Sequence, residues 1–261
     1  MTLIQTPRTG VIARINPVAK LGVSAVIAIP LILTLDVVSA AVAFVLECAL
    51  FLFAGIGWRE FWLRTWPVWV AAPLTAVTIA LYGETSGAVY AEWFVVRISE
   101  GSVALALATL FRVLAIALPS VVLFITVDPT DLADGLAQIL RLPSRFVLGA
   151  LAGLRMVGLF IDDWRALKLA RRARGVADRG RVRRFLGMAF ALLVLSIRRG
   201  AKLSTAMEAR GFGADRPRTW ARESRFGTGE WVLLLVGVLI AGAAVTAAVV
   251  TGSWNFILGP E

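Results

Sequence analysis

The 261-residue chain contains no histidine. That excludes Ser-His-Asp and Cys-His catalysis, histidine-ligated metals and imidazole proton relays together. It has one cysteine, Cys48, placed inside an apolar run, so neither an internal disulfide nor a cysteine metal cluster forms. No Gly-x-x-x-x-Gly-Lys-[Ser/Thr] phosphate loop is present, so ATP is not hydrolysed by that route. Charged residues make up only 17%, and acids are the scarcer sign, 17 against 27 Lys and Arg. No cofactor and no metal are expected.

Apolar surface is abundant. Hydrophobic residues make up 59% of the chain, too many for a soluble domain of this size. Five runs, roughly 18–35, 37–56, 67–83, 102–126 and 230–250, are long enough to cross a ~30 Å hydrocarbon core as helices. Only Leu35-Asp36 separates the first two, a tight turn. The basic N-terminus lacks a small-residue cleavage site after a short apolar core, so the first run reads as a retained span.

The net charge of +10 is unevenly placed: residues 128–228 hold 20 Lys and Arg against 9 Asp and Glu. Nucleic-acid binding is one reading of such a block. The positive-inside rule is the other, and spans on both flanks favour it. Arg8, Arg14 and Lys20 precede the first span, and Arg59 and Arg64 lie between the second and third. Loop 84–101 carries Glu84, Glu92 and Glu100 against Arg97 alone. The expectation is a plasma-membrane protein with its N-terminus and 128–228 cytoplasmic and its C-terminus external. Trp58, Trp62, Trp66 and Trp69 cluster where an inner aromatic belt belongs, with Trp231 opening the last span and Trp254 at the outer belt. Pro30, Pro73 and Pro119 fall in or near three spans and read as packing kinks in preference to hinges.

Asp128-Pro129-Thr130-Asp131 is a helix start: an Asp cap, then proline and an acid in the first turn. A short helix is expected from there to about Leu140. A longer one follows Pro143-Ser144 to Arg174, and a third runs from about Arg181 to Arg210. Their apolar cores, 146–161 and 185–197, are short for spans and suit helices at the membrane face. Gly149-x-x-x-Gly153 offers a small face, with Gly187 and Ala191 as its match, and predicts where these two helices cross. Three regions result: 1–126 with four spans, 127–228 with three helices, and 229–261 with the last span. The fold class is an all-α integral membrane protein.

Ala-x-x-Ala-Arg-Gly occurs twice in the basic block, at 170–175 and 206–211, with its arginines 36 residues apart. Alanines three apart leave one helix face nearly smooth, so another protein can approach that turn. Glycine accepts the left-handed conformation that ends helices. Arginine near a C-terminus is favoured by the helix dipole and offers a planar fork to a carboxylate. One copy alone is an ordinary helix cap. Two copies ending consecutive helices favour a pair of docking tips.

With those residues the chain resembles the transmembrane T component, the EcfT family, of energy-coupling-factor (ECF) transporters, ABC-class importers of vitamins and metal ions. The resemblance rests on Ala173-Arg174-Gly175, on Ala209-Arg210-Gly211 and on the trailing Phe212-Gly213. Weaker support comes from Asn16-Pro17-Val18-Ala19-Lys20-Leu21 and Asp128-Pro129-Thr130-Asp131-Leu132. It implies a coupling subunit joining two cytoplasmic ATPases to a membrane-embedded substrate-binding S component. Arg174 is then expected to enter a groove of one ATPase and Arg210 that of the other, with Ala173, Gly175, Ala209 and Gly211 giving the close fit. Arg171-Arg172 departs from the family's usual uncharged residue beside the alanine and adds positive charge.

Glu47 and Arg112 lie at similar depth in the second and fourth spans, and depth matching predicts an interhelical pair. A substrate or ion path is the rival reading of the two. Asp162 and Asp163 are candidate partners for Arg198, Arg199 or Lys202, and Glu208 for orienting Arg210. A self-contained secondary transporter or channel is the alternative function. It predicts polar residues grouped at the midplane and internal symmetry of spans. A membrane-anchored nucleic-acid binder would carry a recognisable module, and none is present.

Overall fold

A computed structural model of the chain describes residues 12–52, 57–83, 86–93, 96–175, 180–213 and 219–255. After a 3₁₀ turn at Ile12–Arg14 come α1 (Pro17–Leu33), α2 (Val37–Leu52) and α3 (Trp58–Tyr82). A hairpin follows, β1 (Val89–Trp93) and β2 (Val96–Ser99), then α4 (Glu100–Ile125), α5 (Pro129–Gln138), α6 (Ser144–Ala173), α7 (Arg181–Ala209) and α8 (Thr228–Val250). This is an all-α membrane fold. By length and composition α3, α4, α6 and α8 can each cross a membrane, while α1 and α2, apolar and of 17 and 16 residues, stand at the short limit.

The chain divides into two compact units. One contains α1–α4, most of α5, and α8; the other runs from Leu136 to Glu223 and contains α6 and α7. The division falls inside α5, between Gly135 and Leu136.

In the first unit α4 packs against α1, α2 and α3, and α8 packs against α1 and α2. Lipid tails are as apolar as leucine, so helices join there by close fit, which favours small residues. Ala40, Ala43, Ala115, Ala244 and Ala248 are accordingly buried beside Ile27, Leu118 and Val122. The α1–α8 contact interlocks: a Cβ on Gly22 would lie 3.0 Å from Leu234 and one on Gly237 3.0 Å from Val23.

Local chemistry sets the helix ends. Asp36 closes the three-residue connection 34–36 before α2 by accepting from the Ser39 amide (2.6 Å) and the Ser39 hydroxyl (2.8 Å). Asn16 caps α1, with Pro17 in the first turn. Ser99 caps α4 in a capping box with Ser102, whose hydroxyl also reaches the Ala80 carbonyl of α3. Asp128 accepts from the Thr130 amide at 2.8 Å, as the helix-start motif predicts for α5.

The ends of this unit are tied across the sequence. Asn16 donates through Nδ2 to the Ser224 hydroxyl (2.8 Å) and the Arg225 carbonyl (3.1 Å), and its amide donates to Glu230 (3.0 Å). Glu230 also accepts from the Gly227 amide at 2.8 Å. Lys20, 1% exposed, donates to the Thr126 hydroxyl at 2.7 Å. The starts of α1 and α8 and the end of α4 thus share one end. At the other, the Leu35 amide donates to the Asn255 carbonyl (2.9 Å), joining the α1–α2 turn to the chain after α8. The helices therefore alternate in direction as the charge pattern requires.

Two sequence expectations change. Helix α3 begins at Trp58, nine residues before the expected span, because its tryptophans form a packed ladder. Ring centroids lie 5.8 Å apart for Trp58–Trp62 and 5.5 Å for Trp62–Trp69, and Arg64 pairs with Glu60 one turn earlier at 3.0 Å. The segment read as loop 84–101 contains the antiparallel hairpin, with Val89 opposite Ser99 and Trp93 opposite Val96. Glu84 lies outside the described residues, as does Arg8.

Candidate functional site

The two Ala-Arg-Gly motifs terminate α6 and α7, helices of 30 and 29 residues. Each arginine is the C-cap: Arg174 at φ −84°, ψ 3° and Arg210 at φ −90°, ψ 9°. Each following glycine turns left-handed, Gly175 at φ +66° and Gly211 at φ +77°. The Gly175 amide donates to the Arg172 carbonyl (3.1 Å), and the Gly211 amide to the Glu208 carbonyl (2.9 Å). Phe212 then donates to the Met207 carbonyl at 2.9 Å, which completes a Schellman motif. The glycine is required for its conformation, since a Cβ at either position would meet nothing within 4 Å.

Ala173, Arg174, Gly175, Ala209, Arg210 and Gly211 are all exposed. Neither motif arginine is in an ion pair among the described residues. Each tip is thus a smooth last turn, an available guanidinium and a sharp reversal of the chain. Glu208, a candidate for orienting Arg210, accepts instead from the Ser204 hydroxyl at 3.3 Å.

Helices α6 and α7 are joined by few but specific contacts. Arg199 grips Asp163 with both Nη atoms, at 2.6 and 3.3 Å, and both side chains are mostly covered. Trp164 meets Phe185 edge to face at 5.5 Å, and the Arg171 guanidinium lies over Gly187, 3.3 Å from where a Cβ would stand. Asp162 pairs with Arg165 on its own helix at 3.5 Å. The expected crossing at Gly149 and Gly153 is corrected: a Cβ on either would meet nothing within 4 Å. Long side chains from the second half of α6 make the contact, so the small face in its first half stays open. Gly187 does lie at the contact, under Arg171 and not against a glycine; Ala191 is half-buried on the same helix.

The predicted Glu47–Arg112 pair forms no hydrogen bond and no ion pair in the structure. Glu47 is 0% exposed, yet neither of its oxygens has a hydrogen-bond partner, and Nε and Nη2 of Arg112 have none either.

The sequence reading missed the roles of Asn16, Lys20 and Glu230 in tying the helix ends. The signal was present in Asn16-Pro17, a cap followed by a first-turn proline, and in an acid three residues after Gly227. Among the described residues no group of His, Cys, Asp and Glu is arranged to hold a metal ion.

Comparison with known proteins agrees with this geometry. Residues 9–220 match the CbiQ family, described as cobalt transport protein. The chain is 28% identical over 196 residues to the energy-coupling factor transporter transmembrane protein EcfT of Limosilactobacillus fermentum, covering 70% of this chain and 73% of that one. It is 28% identical over 200 residues to EcfT of Lactobacillus helveticus, covering 72% of each chain. Against EcfT of Bacillus selenitireducens it is 32% identical over 133 residues, 46% of this chain and 50% of that one. Spanning helices, paired helix-end motifs and a match across most of its length together make this chain a member of the CbiQ/EcfT family, the transmembrane components of energy-coupling-factor transporters.

Proposed function

We propose that the chain is a coupling subunit: it holds two cytoplasmic ABC ATPases and links them to a membrane-embedded, substrate-binding S component for uptake of a vitamin or metal ion. The carrying observation is that both Ala-Arg-Gly motifs form the same exposed C-terminal cap on two long helices clamped to each other by one ion pair. Arg174 seats in one ATPase and Arg210 in the other. ATP hydrolysis belongs to those partners, and this chain is not catalytic. When the ATPases close on ATP, the two tips move relative to each other, and α6 and α7 carry that motion toward the bilayer. The cargo is selected by the S component, for which the open Gly149–Gly153 face offers close approach to a helix.

The N-terminus and residues 128–228 face the cytoplasm and the C-terminus faces outward. The charge distribution supports this orientation, as does the alternation of helix direction set by the Asn16, Lys20 and Leu35 contacts.

The test is co-purification. Removing one arginine from a buried charged contact costs roughly 2–5 kcal/mol, and reversing its charge costs more. Arg174→Glu or Arg210→Glu is expected to strip nucleotide-binding subunits from the purified complex and abolish uptake. Full complexes in both variants overturn the proposal.

A further inference from the structure

A cavity of about 1330 Å³ lies between the first half of α6 and the second half of α7. Its lining has two characters. Arg145, Arg155, Arg199 and Arg210 supply four cations, and among the described residues no Asp or Glu lines it. Leu148, Leu151, Leu159, Leu203 and Met207 supply apolar surface. Only Arg199 is neutralised, by Asp163. Arg145 lies against the Phe146 ring at 5.5 Å, and neither it nor Arg155 nor Arg210 is in an ion pair among the described residues.

Sites for compact small molecules run to about 300–1,000 Å³. This groove is larger and open, and it is built along two helices. Its surroundings are apolar: Phe146, Leu154, Val157 and Ile161 of α6 are exposed, as are Phe190 and Ile197 of α7. Helix α6 itself has the length and composition of a membrane-crossing helix. An acidic protein segment would meet the arginines but leave a leucine-rich floor facing its polar backbone. A molecule with one anionic end and long hydrocarbon chains satisfies both parts.

We propose that this groove is a binding site for an anionic phospholipid, with the headgroup phosphodiester held by Arg145 and Arg155 and the acyl chains laid on Leu148, Leu151, Leu159, Leu203 and Met207. Basic pockets between helices near the cytoplasmic membrane surface select anionic headgroups in this way. Arginine suits the task because its planar fork gives phosphate two parallel hydrogen bonds. The site does not depend on which protein receives either helix tip.

The experiment uses the full chain, purified alone and with its co-expressed nucleotide-binding subunits, in detergent doped with phosphatidylglycerol or phosphatidylcholine. Bound lipid is read by native mass spectrometry. Wild type is expected to retain phosphatidylglycerol about tenfold or more over phosphatidylcholine. Arg145→Gln with Arg155→Gln, neither of them in the Ala-Arg-Gly tips, should lose that preference, and Arg145→Lys with Arg155→Lys should recover most of it. If the double Gln variant does not fold, Arg155→Gln alone carries the same expectation. Equal retention of the two lipids, or undiminished preference in the Gln variant, overturns the site. Displacement of phosphatidylglycerol by the bound subunits also overturns it and assigns the groove to an acidic protein surface.

Discussion

Asp163 and Arg199 join α6 to α7 through two hydrogen bonds, and each lies eleven residues before the arginine that ends its helix. At 1.5 Å per residue, both arms from this clamp to their tips are about 16 Å long. The 36-residue spacing of Arg174 and Arg210 therefore repeats the 36-residue spacing of the clamp. Matched arms let a displacement at one tip act on the other helix with equal leverage.

Breaking the clamp is expected to separate coupling from assembly. Asp163→Asn or Arg199→Gln should leave both tips able to hold nucleotide-binding subunits while reducing uptake. The exchange Asp163→Arg with Arg199→Asp should restore much of it. In a double-mutant cycle on thermal stability, the pair should show a coupling of about 1 kcal/mol, since its geometry is two-pronged but its edge meets solvent. Zero coupling with unchanged uptake would remove the clamp from the account.

The glycines of the tips are needed for handedness, not for room. Gly175→Ala and Gly211→Ala should each cost about 1 kcal/mol, because a left-handed conformation is unfavourable for a residue with a Cβ. Asn at the same positions should cost less, as it visits that conformation more readily. Hydrogen exchange in the last turn of α7 reads this directly: faster in Gly211→Ala, and between that and wild type in Gly211→Asn. A larger loss for Asn than for Ala would point to a steric requirement instead.

Asn16 bonds to the α8 entrance while capping α1. Asn16→Ala removes the cap, worth about 1 kcal/mol, and leaves the Ser224 hydroxyl without this donor. A fall in unfolding temperature is expected. Gly135→Val should also destabilise, since even a Cβ there would stand 2.6 Å from Val18 and 3.1 Å from the Asn16 side-chain oxygen. Combining the two should cost less than the sum of the single changes, because they act on one contact.

Glu47 and Arg112 do not share a hydrogen bond, so their substitutions should act independently. The stability changes of Glu47→Gln and Arg112→Gln are expected to add to within about 0.5 kcal/mol. Coupling above roughly 1 kcal/mol would restore the pairing that depth alone suggested.

Much of the architecture was legible because its signals are local. Asp128-Pro129 marks the start of α5, Pro143-Ser144 that of α6, and Arg-Gly the end of both long helices. The early start of α3 was also written in the sequence: Trp58, Trp62, Trp66 and Trp69 recur at helical spacing, although Arg59, Glu60 and Arg64 among them resemble a polar loop. Relations that depend on rotation about a helix axis were harder to read. Gly149 and Gly153 form a small face, but composition does not say which neighbour comes to it, and Asp163, Trp164 and Arg171 make the contact instead. Glu47 and Arg112, matched by depth, form no hydrogen bond or ion pair. Asn16 and Lys20 stood out as part of a motif, yet their partners lie more than a hundred residues away.

The central claim is that two arginine tips seat in two separate nucleotide-binding subunits. Site-directed cross-linking tests it most directly, in a Cys48→Ser background with a single photoreactive cysteine at Ala173 or at Ala209. The account predicts that each position captures one nucleotide-binding subunit, and that a double-labelled chain carries two at once. Adducts only within the chain itself, or a double-labelled chain that never carries more than one subunit, would contradict it.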